Sequence, residues 1–180
     1  MHTHAQFAAM VSRMDCYVGE LMRELEQRGL AENTLVIFTS DNGPHEEGGA
    51  DPAFFGRDGK LRGLKRSCHE GGIRIPFIVR WPGHVAAGST SDHQLAFWDV
   101  MPTLCQAIGI PDYARRYAHS GGDTFDGLSF LPTLEGEPMR QRIHDHLYWE
   151  FGETNQVAVR RGNWKMVAKR GKPALYDLGT

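Results

Sequence analysis

The spacing of apolar residues at the start of the chain predicts a long helix. Between Phe7 and Leu25 these residues recur every three or four positions, so they form one stripe along a helix. Gly29 is placed to end that helix. A continuous apolar run at residues 35–39 then predicts a strand. Because the run does not alternate with polar residues, we expect the strand to be buried on both faces, as in a parallel sheet.

The middle of the chain predicts one more strand and one more helix. The strand covers residues 75–80. Asp99 is placed to cap the helix, which runs to Ile108 and has Gly109 after its end. Helix and strand in this order are typical of an α/β fold, in which functional groups lie beyond the carboxyl ends of the strands.

The pattern changes to short β-rich runs near the C-terminus. These runs predict strands at residues 146–151, 157–160, 164–168 and 174–177. Arg161, Gly162 and Asn163 separate the middle two runs as a hairpin turn would. The predicted fold class is therefore α/β. Residues 1–125 are expected to form part of an α/β domain, and residues 126–180 are expected to form a small antiparallel subdomain that is truncated at its end.

Polar side chains follow the first predicted strand directly. Asp41 and Asn42 come at its carboxyl end, and Lys65 follows a glycine-punctuated loop. Carboxylate and amide oxygens suit a hard cation, but two side chains cannot fill the shell of about six to eight oxygens that calcium takes. A fixed ammonium beside them would suit an oxyanion ester. A simple Asx–Gly turn and a solvated basic loop that includes Arg62 and Arg66 are the structural alternatives.

Taken together, these segments resemble the type I sulfatases of the alkaline-phosphatase-like superfamily. The segments that carry the resemblance are LVIFTSDNG, LRGLKRSCHEGGIRIPFIVRWPG, DVMPTLCQAIGI, FDGLSFLPTLEG, LYWEF, VAVRRGNWKMV and ALYDL. The resemblance implies an alkaline-phosphatase-like sheet between helices. It also implies metal ligation by Asp41 and Asn42, and contact of Lys65 with the sulfate group.

The resemblance covers only the C-terminal portion of such an enzyme. Family members carry a Cys-x-Pro-x-Arg or Ser-x-Pro-x-Arg motif whose first residue becomes formylglycine, and this sequence contains neither form. We therefore expect no nucleophile on this chain. The first pair of metal-binding aspartates and the formylglycine are expected on a missing N-terminal part. The isolated chain is expected to be inactive.

The function implied by the resemblance is hydrolysis of a sulfate monoester, on a sulfated sugar or an aryl sulfate. The implied cofactors are formylglycine and a divalent metal, calcium first and magnesium as the alternative. Two other hypotheses remain open. One is a phosphodiesterase or phosphonate hydrolase of the same superfamily, and the other is a non-catalytic truncated fragment or binding module.

Some neighbouring residues are candidates for supporting roles. His45 follows the DNGP sequence and is a candidate to border the substrate pocket. Glu150, with Tyr148 and Trp149, is a candidate sugar-binding residue, because aromatic faces stack on sugar rings; core packing is the alternative for the aromatics. Glu70 and Arg74 are candidates for an ion pair that orders the Lys65 loop.

Bulk composition narrows the range of partners. A net charge of −2 and a pI of about 6.5 give no reason to expect nucleic acid or an anionic membrane. No run approaches the roughly 18 apolar residues of a membrane span, and no signal peptide is expected, so no localisation is assigned. The expected partners are a sulfated small molecule or saccharide. Because an incomplete sheet exposes strand edges, we also expect self-association or binding of a complementary N-terminal chain.

Overall fold

The structure is a computed structural model, and it describes residues 2–49, 51–56, 61–110, 112 and 126–179. The helices among these residues are α1 (His2–Gln27), α2 (Glu70–Ile73), α3 (Val100–Ala107) and α4 (Leu131–Leu134). The strands are β1 (Val36–Thr39), β2 (Phe77–Arg80), β3 (Leu147–Phe151), β4 (Gln156–Arg161), β5 (Trp164–Lys169) and β6 (Lys172–Asp177).

The chain divides into two compact units. The first unit combines Met1–Val79 with His146–Thr180, and the second is Arg80–Asp145. The candidate site residues and the C-terminal strands all belong to the first unit. A functional division between residues 125 and 126 stays a prediction.

The predicted first helix is confirmed as α1. Gly29 adopts a left-handed backbone with φ of 67°, and the Leu30 N–H donates to the Leu25 carbonyl at 2.8 Å. This is the common glycine-terminated C-terminus of a helix, in which backbone N–H groups beyond the helix satisfy its last carbonyls. The sequence therefore encodes both the helix and its end locally.

The first two strands, β1 and β2, pair in a two-stranded sheet. The Thr39 hydroxyl adds a hydrogen bond to the Pro76 carbonyl at 2.8 Å. All four residues of β1 are half-buried, so the prediction of burial on both faces is wrong for this structure. In the described part of the chain the sheet consists of these two strands alone, which leaves β1 partly accessible.

The C-terminal strands form an antiparallel sheet in the order β3-β4-β5-β6, as predicted. Arg161 pairs with Trp164 across a tight turn, and Gly162 there has φ of 58°. Ala158 and Val167 project from one face into a small core. Cys68 from the 61–72 loop completes that core, so this loop is anchored on the sheet.

In the second unit, Asp99 does not cap α3 as predicted. Its backbone is already helical, with φ of −83° and ψ of −16°, whereas a capping residue is extended. The buried carboxylate instead accepts hydrogen bonds from the Ala96 N–H at 2.8 Å and the Leu128 N–H at 2.7 Å. His144 Nε2 lies 2.8 Å from the same carboxylate. Asp99 therefore ties together separate segments of its unit.

Candidate active site

Asp41, Asn42 and Gly43 lie at the carboxyl end of β1, as the sequence predicted. Asp41 is exposed, and among the described residues none donates a hydrogen bond to its carboxylate. The Asn42 amide nitrogen donates to the Gly43 carbonyl at 2.9 Å. No described residue donates to the Asn42 side-chain oxygen. Both side chains therefore present oxygen atoms that hydrogen bonds within the described chain do not occupy.

Backbone hydrogen bonds bring this turn to the loop that carries Lys65. The Lys65 N–H donates to the Pro44 carbonyl at 2.8 Å. The Gly43 N–H donates to the Gly72 carbonyl at 2.9 Å. Both ends of the 65–72 segment are thus bonded to the turn after β1, so the turn and the segment form one local structure.

Close backbone contacts explain the glycines at this junction. A Cβ on Gly43 would lie 1.9 Å from the Gly71 carbonyl oxygen, and a Cβ on Gly71 would lie 2.0 Å from the Gly63 carbonyl oxygen. A Cβ on Gly72 would lie 2.1 Å from the Ser67 carbonyl oxygen. Any side chain at these positions would push the backbone segments apart, so these glycines are required for the close packing.

Lys65 differs from the cations beside it. Arg66 forms an ion pair with Glu47 and thereby lowers the pKa of that carboxyl group. Arg62 donates a hydrogen bond to the Tyr176 hydroxyl at 2.8 Å. Lys65 is half-buried, and no described carboxylate pairs with its ammonium. Of these three cations, Lys65 is therefore the one whose charged group has neither a hydrogen bond nor an ion pair within the described residues.

Glu70 pairs with the small sheet and not with Arg74, so that prediction is wrong. Glu70 Oε1 accepts a hydrogen bond from Lys165 Nζ at 2.7 Å, and Oε2 accepts one from Arg160 Nη1 at 3.2 Å. Lys165 is 1% exposed, and its burial lowers the pKa of its ammonium. The ring of Trp149 lies 4.9 Å from Lys165 Nζ. Strands β4 and β5 thus supply the cations that hold Glu70, while Arg74 is exposed.

Gln156 gives the loop a second attachment to the sheet. Its buried side chain accepts a hydrogen bond from the Cys68 N–H at 3.3 Å and donates one to the Arg66 carbonyl at 3.2 Å. Sequence reasoning missed Gln156, Arg160 and Lys165 as supports of the loop. For Lys165 a signal exists, because it alternates in phase with the buried Val167.

Cys68 is buried in the core of the small sheet, a setting unlike that of a reactive thiol. Burial raises the pKa of the Cys68 thiol, which disfavours the thiolate. His69 Nδ1 lies 3.0 Å from the Ser67 hydroxyl. Burial, followed by the charge of Arg62, lowers the pKa of His69.

The two predicted substrate-binding residues lie in different settings. His45 is half-buried beside the turn, and its Nδ1 accepts a hydrogen bond from the Glu47 N–H at 3.0 Å. Glu150 is exposed and accepts a hydrogen bond from the Tyr148 hydroxyl at 3.0 Å, which raises the pKa of Tyr148. Trp149 packs against the core of the sheet. Within the described residues no hydrogen bond or ion pair joins Glu150 to Asp41 or Lys65.

The donor set at the turn fits part of a hard-metal site. Among the described residues, no group of three or more His, Cys, Asp or Glu side chains is placed to hold a metal ion. Asp41 and Asn42 nevertheless offer one carboxylate and one amide oxygen, which are ligands that calcium and magnesium accept. These two residues fit the metal as two of its ligands. The remaining oxygens would come from other groups.

Comparison with known proteins identifies the family. The family described as Sulfatase matches residues 2–110, which is more than half of the chain. The steryl-sulfatase of Mus musculus is 35% identical over 169 residues, covering 92% of this chain and 26% of that protein. The chain belongs to the sulfatase family. It spans about a quarter of the length of this curated relative.

Solved structures agree with the sequence comparison. The PsFucS1 sulfatase from Pseudoalteromonas sp. is 30% identical with a TM-score of 0.67, covering 93% of this chain and 33% of that one. The structure of Ps i-CgsB in complex with k-i-k-neocarrahexaose is 26% identical with a TM-score of 0.72, covering 98% of this chain and 37% of that one. The predicted α/β fold class, with its small C-terminal sheet, is confirmed.

In the described part of the chain, no helix combines the length and apolar character needed to cross a bilayer.

Proposed function

We propose that this chain forms part of the active site of an enzyme that hydrolyses a sulfate monoester, on a sulfated sugar or an aryl sulfate. The observation that carries the proposal is the hydrogen bond from the Lys65 N–H to the Pro44 carbonyl. This bond joins the backbone of Lys65 to the turn that carries Asp41 and Asn42, and it supports a role for the Lys65 ammonium beside their side-chain oxygens. Membership of the sulfatase family supports a sulfate ester as the group bound there.

In this proposal the residues of the turn and the loop have separate roles. Asp41 and Asn42 hold a divalent cation, calcium in the first place and magnesium as the alternative. A bound cation of this kind polarises an ester oxygen and stabilises negative charge. Lys65 binds a sulfate oxygen through its ammonium and opposes the charge that develops there. His45 borders the pocket, and Glu150 accepts hydrogen bonds from sugar hydroxyls.

The chain is proposed to lack turnover by itself. Its sequence has no Cys-x-Pro-x-Arg or Ser-x-Pro-x-Arg motif to supply a formylglycine nucleophile, and its turn supplies only two metal ligands. The isolated chain should therefore bind the ester without cleaving it. Hydrolysis of a chromogenic sulfate ester above a metal-free blank, abolished by Lys65→Ala, would contradict this.

Association with another chain is a second part of the proposal. Met10, Met14, Tyr17 and Leu21 form an exposed apolar stripe on α1, which we call the α1 stripe. A contiguous apolar patch of this kind marks an interaction surface. The proposed partners are a second copy of this chain or a complementary N-terminal chain.

The test of the proposed function is binding of phenyl sulfate to the 180-residue chain in excess calcium, followed by NMR. Lys65→Ala should weaken binding by roughly tenfold or more, because it removes a charge-assisted contact. Arg66→Ala is the matched control, since Arg66 belongs to the same loop but is paired with Glu47. Equal affinity of the Lys65→Ala variant would overturn the role of Lys65. Tighter binding of a phosphate diester or a phosphonate would favour the related phosphorus-ester hydrolases.

A further inference from the structure

A groove with several positive side chains lies between the 61–72 loop and the β5–β6 hairpin. Its volume is about 480 Å³. We call it the basic groove, and its lining residues are Arg62, His69, Val167, Lys169, Arg170, Lys172, Ala174 and Tyr176. Four of these side chains are cationic, and none of the lining residues is acidic. The groove therefore has the charge of an anion-binding site with an apolar component.

One wall of the basic groove is held in place by Tyr176. The Arg62 guanidinium donates a hydrogen bond to the Tyr176 hydroxyl at 2.8 Å, and its carbon lies 5.4 Å from the centroid of the tyrosine ring. The His69 ring approaches the same tyrosine edge-on, with centroids 5.6 Å apart. Because Arg62 is held by a neutral partner, its charge is positioned without being cancelled.

The opposite wall places like charges close together. Lys169 and Lys172 are direct cross-strand partners at the end of the β5–β6 hairpin, and Arg170 lies between them in the turn. Like charges at directly opposed positions destabilise a sheet. Among the described residues, no carboxylate forms an ion pair with any of these three cations. The hairpin therefore concentrates positive charge at a cost to stability.

The backbone of this turn fixes the arrangement. Arg170 has a left-handed φ of 52°, which is unfavourable for a non-glycine residue. Its N–H donates to the Asn155 carbonyl at 2.8 Å, which ties the turn to the preceding hairpin. Burial lowers the pKa of the His69 ring, and the charges of Arg62, Lys165 and Lys169 lower it further; Arg62 and Lys169 come from the two walls of the groove. The two walls of the groove thus act on one shared interior.

We propose that the basic groove binds a second sulfate group of a multiply sulfated saccharide. Lys169, Lys172 and Arg62 contact the sulfate oxygens, and Tyr176 with Ala174 offers apolar surface to a sugar ring. Arg62 and Lys65 belong to one loop, and the Gly71 N–H donates to the Arg62 carbonyl at 2.8 Å. The groove is thereby continuous with the loop of the candidate active site. This inference rests on the proposed function and narrows its substrate from aryl sulfates to sulfated saccharides.

The test is a calorimetric titration of the 180-residue chain with a sulfated hexasaccharide and with its desulfated form. The sulfated ligand should bind more than roughly tenfold more tightly than the desulfated one. The double charge reversal Lys169→Glu/Lys172→Glu should weaken binding of the sulfated ligand by more than roughly tenfold. The matched control is Arg13→Glu/Arg23→Glu, which makes the same change in net charge at exposed positions of α1.

Each outcome decides for or against the groove. Equal weakening by the groove and control reversals would show that net charge alone attracts the ligand, and it would overturn the proposal. Equal binding of the desulfated hexasaccharide would also overturn it. In calcium-free buffer, where the proposed metal site cannot contribute, Asp41→Ala should leave binding of the sulfated ligand within about twofold, because the groove contains no residue of the turn. Groove binding can therefore persist if the proposed metal site fails, and it can fail while metal binding persists.

Discussion

The small C-terminal sheet and helix α1 place charge and apolar surface in opposite ways. Under the sheet, Lys165 is 1% exposed and Glu70 is 8% exposed. On α1, Met10 is 64% exposed, Tyr17 57% and Leu21 56%. A buried charged side chain is stable when an opposite charge and hydrogen bonds offset the cost of removing it from water. An exposed apolar surface is stabilised when another apolar surface covers it. The small sheet therefore pairs its buried charges internally, whereas α1 leaves apolar side chains exposed, and it is there that we propose association.

The buried ion pair links the sheet to the candidate site. Glu70 begins α2, whose Gly72 carbonyl accepts the N–H of Gly43. Holding Glu70 on Lys165 and Arg160 therefore holds the backbone against which the Asp41 turn packs. The sheet has a positioning role, although it contributes none of the proposed metal ligands.

The largest effect is expected from removing the charge of Glu70. Glu70→Gln leaves Lys165 buried without a counter-charge and should lower the free energy of unfolding by about 3–5 kcal/mol. Lys165→Met should cost less, because Glu70 keeps its bond to Arg160 and the apolar side chain fills the same space. Urea unfolding of both variants measures the difference. If Glu70→Gln is as stable as the unmodified chain, the sheet does not anchor the loop through this pair.

The next largest effect concerns the α1 stripe. Leu21→Lys should weaken self-association by roughly tenfold or more, because burying one leucine contributes about 1.5–3 kcal/mol. Glu20→Lys is the control at the neighbouring exposed position outside the stripe. Sedimentation velocity over a range of concentrations measures the change. The proposal that the α1 stripe is an interface would be contradicted if the chain stays monomeric at every concentration. It would also be contradicted if Glu20→Lys weakens self-association as much as Leu21→Lys.

A comparable or smaller effect is expected at the junction of turn and loop. Gly43→Ala places a methyl group against the Gly71 carbonyl and should cost about 1–3 kcal/mol through overpacking. It should also change the NMR shift of the Lys65 amide, because the bond to Pro44 depends on this contact. Gly152→Ala is the control, since a Cβ there would meet nothing within 4 Å. Similar losses in the two variants would show that close packing at Gly43 is not required.

The smallest effect is a pH dependence at His69. Its pKa is lowered by burial and then by the charges of Arg62, Lys165 and Lys169, so the fold favours the neutral ring. The stability that depends on this neutral ring is present above the unfolded pKa of about 6.5 and is lost as the pH falls through the lower folded pKa. His69→Gln should therefore reduce the drop in the urea midpoint between about pH 7 and pH 5. An unchanged drop would exclude His69 as its source.

Local signals explain what the sequence could predict. The stripe of α1, the turn at Gly162 and the strands of the small sheet depend on neighbouring residues, and they are confirmed. The partner of Glu70 is Lys165, which lies 95 positions away along the chain. No local sequence pattern predicts a contact between residues so far apart. The half-burial of β1 depends in the same way on which strands accompany it. Local periodicity therefore predicts elements, while long-range partners require the folded chain.

The candidate site shows the same division. The resemblance predicted that Asp41, Asn42 and Lys65 belong together, and the hydrogen bond from Lys65 to Pro44 joins the loop of Lys65 to the turn that contains the other two. Their roles toward a metal and a sulfate ester stay predictions. Gln156 alternates in phase with the buried Ala158, but this phase indicates only the face of the strand and not the distant backbone groups that Gln156 binds.

The most direct test of the central claim is a calcium titration of the ¹⁵N-labelled chain, followed at the amides of Asp41, Asn42 and Gly43. We predict shifts at these amides with an affinity in the roughly millimolar range, since the chain supplies only part of a calcium shell. The shifts should vanish in Asp41→Ala and persist in both Lys65→Ala and the exposed control Asp92→Ala. Shifts of equal size in Asp41→Ala, or no shifts in the unmodified chain, would contradict the assignment of this turn as a metal-binding site.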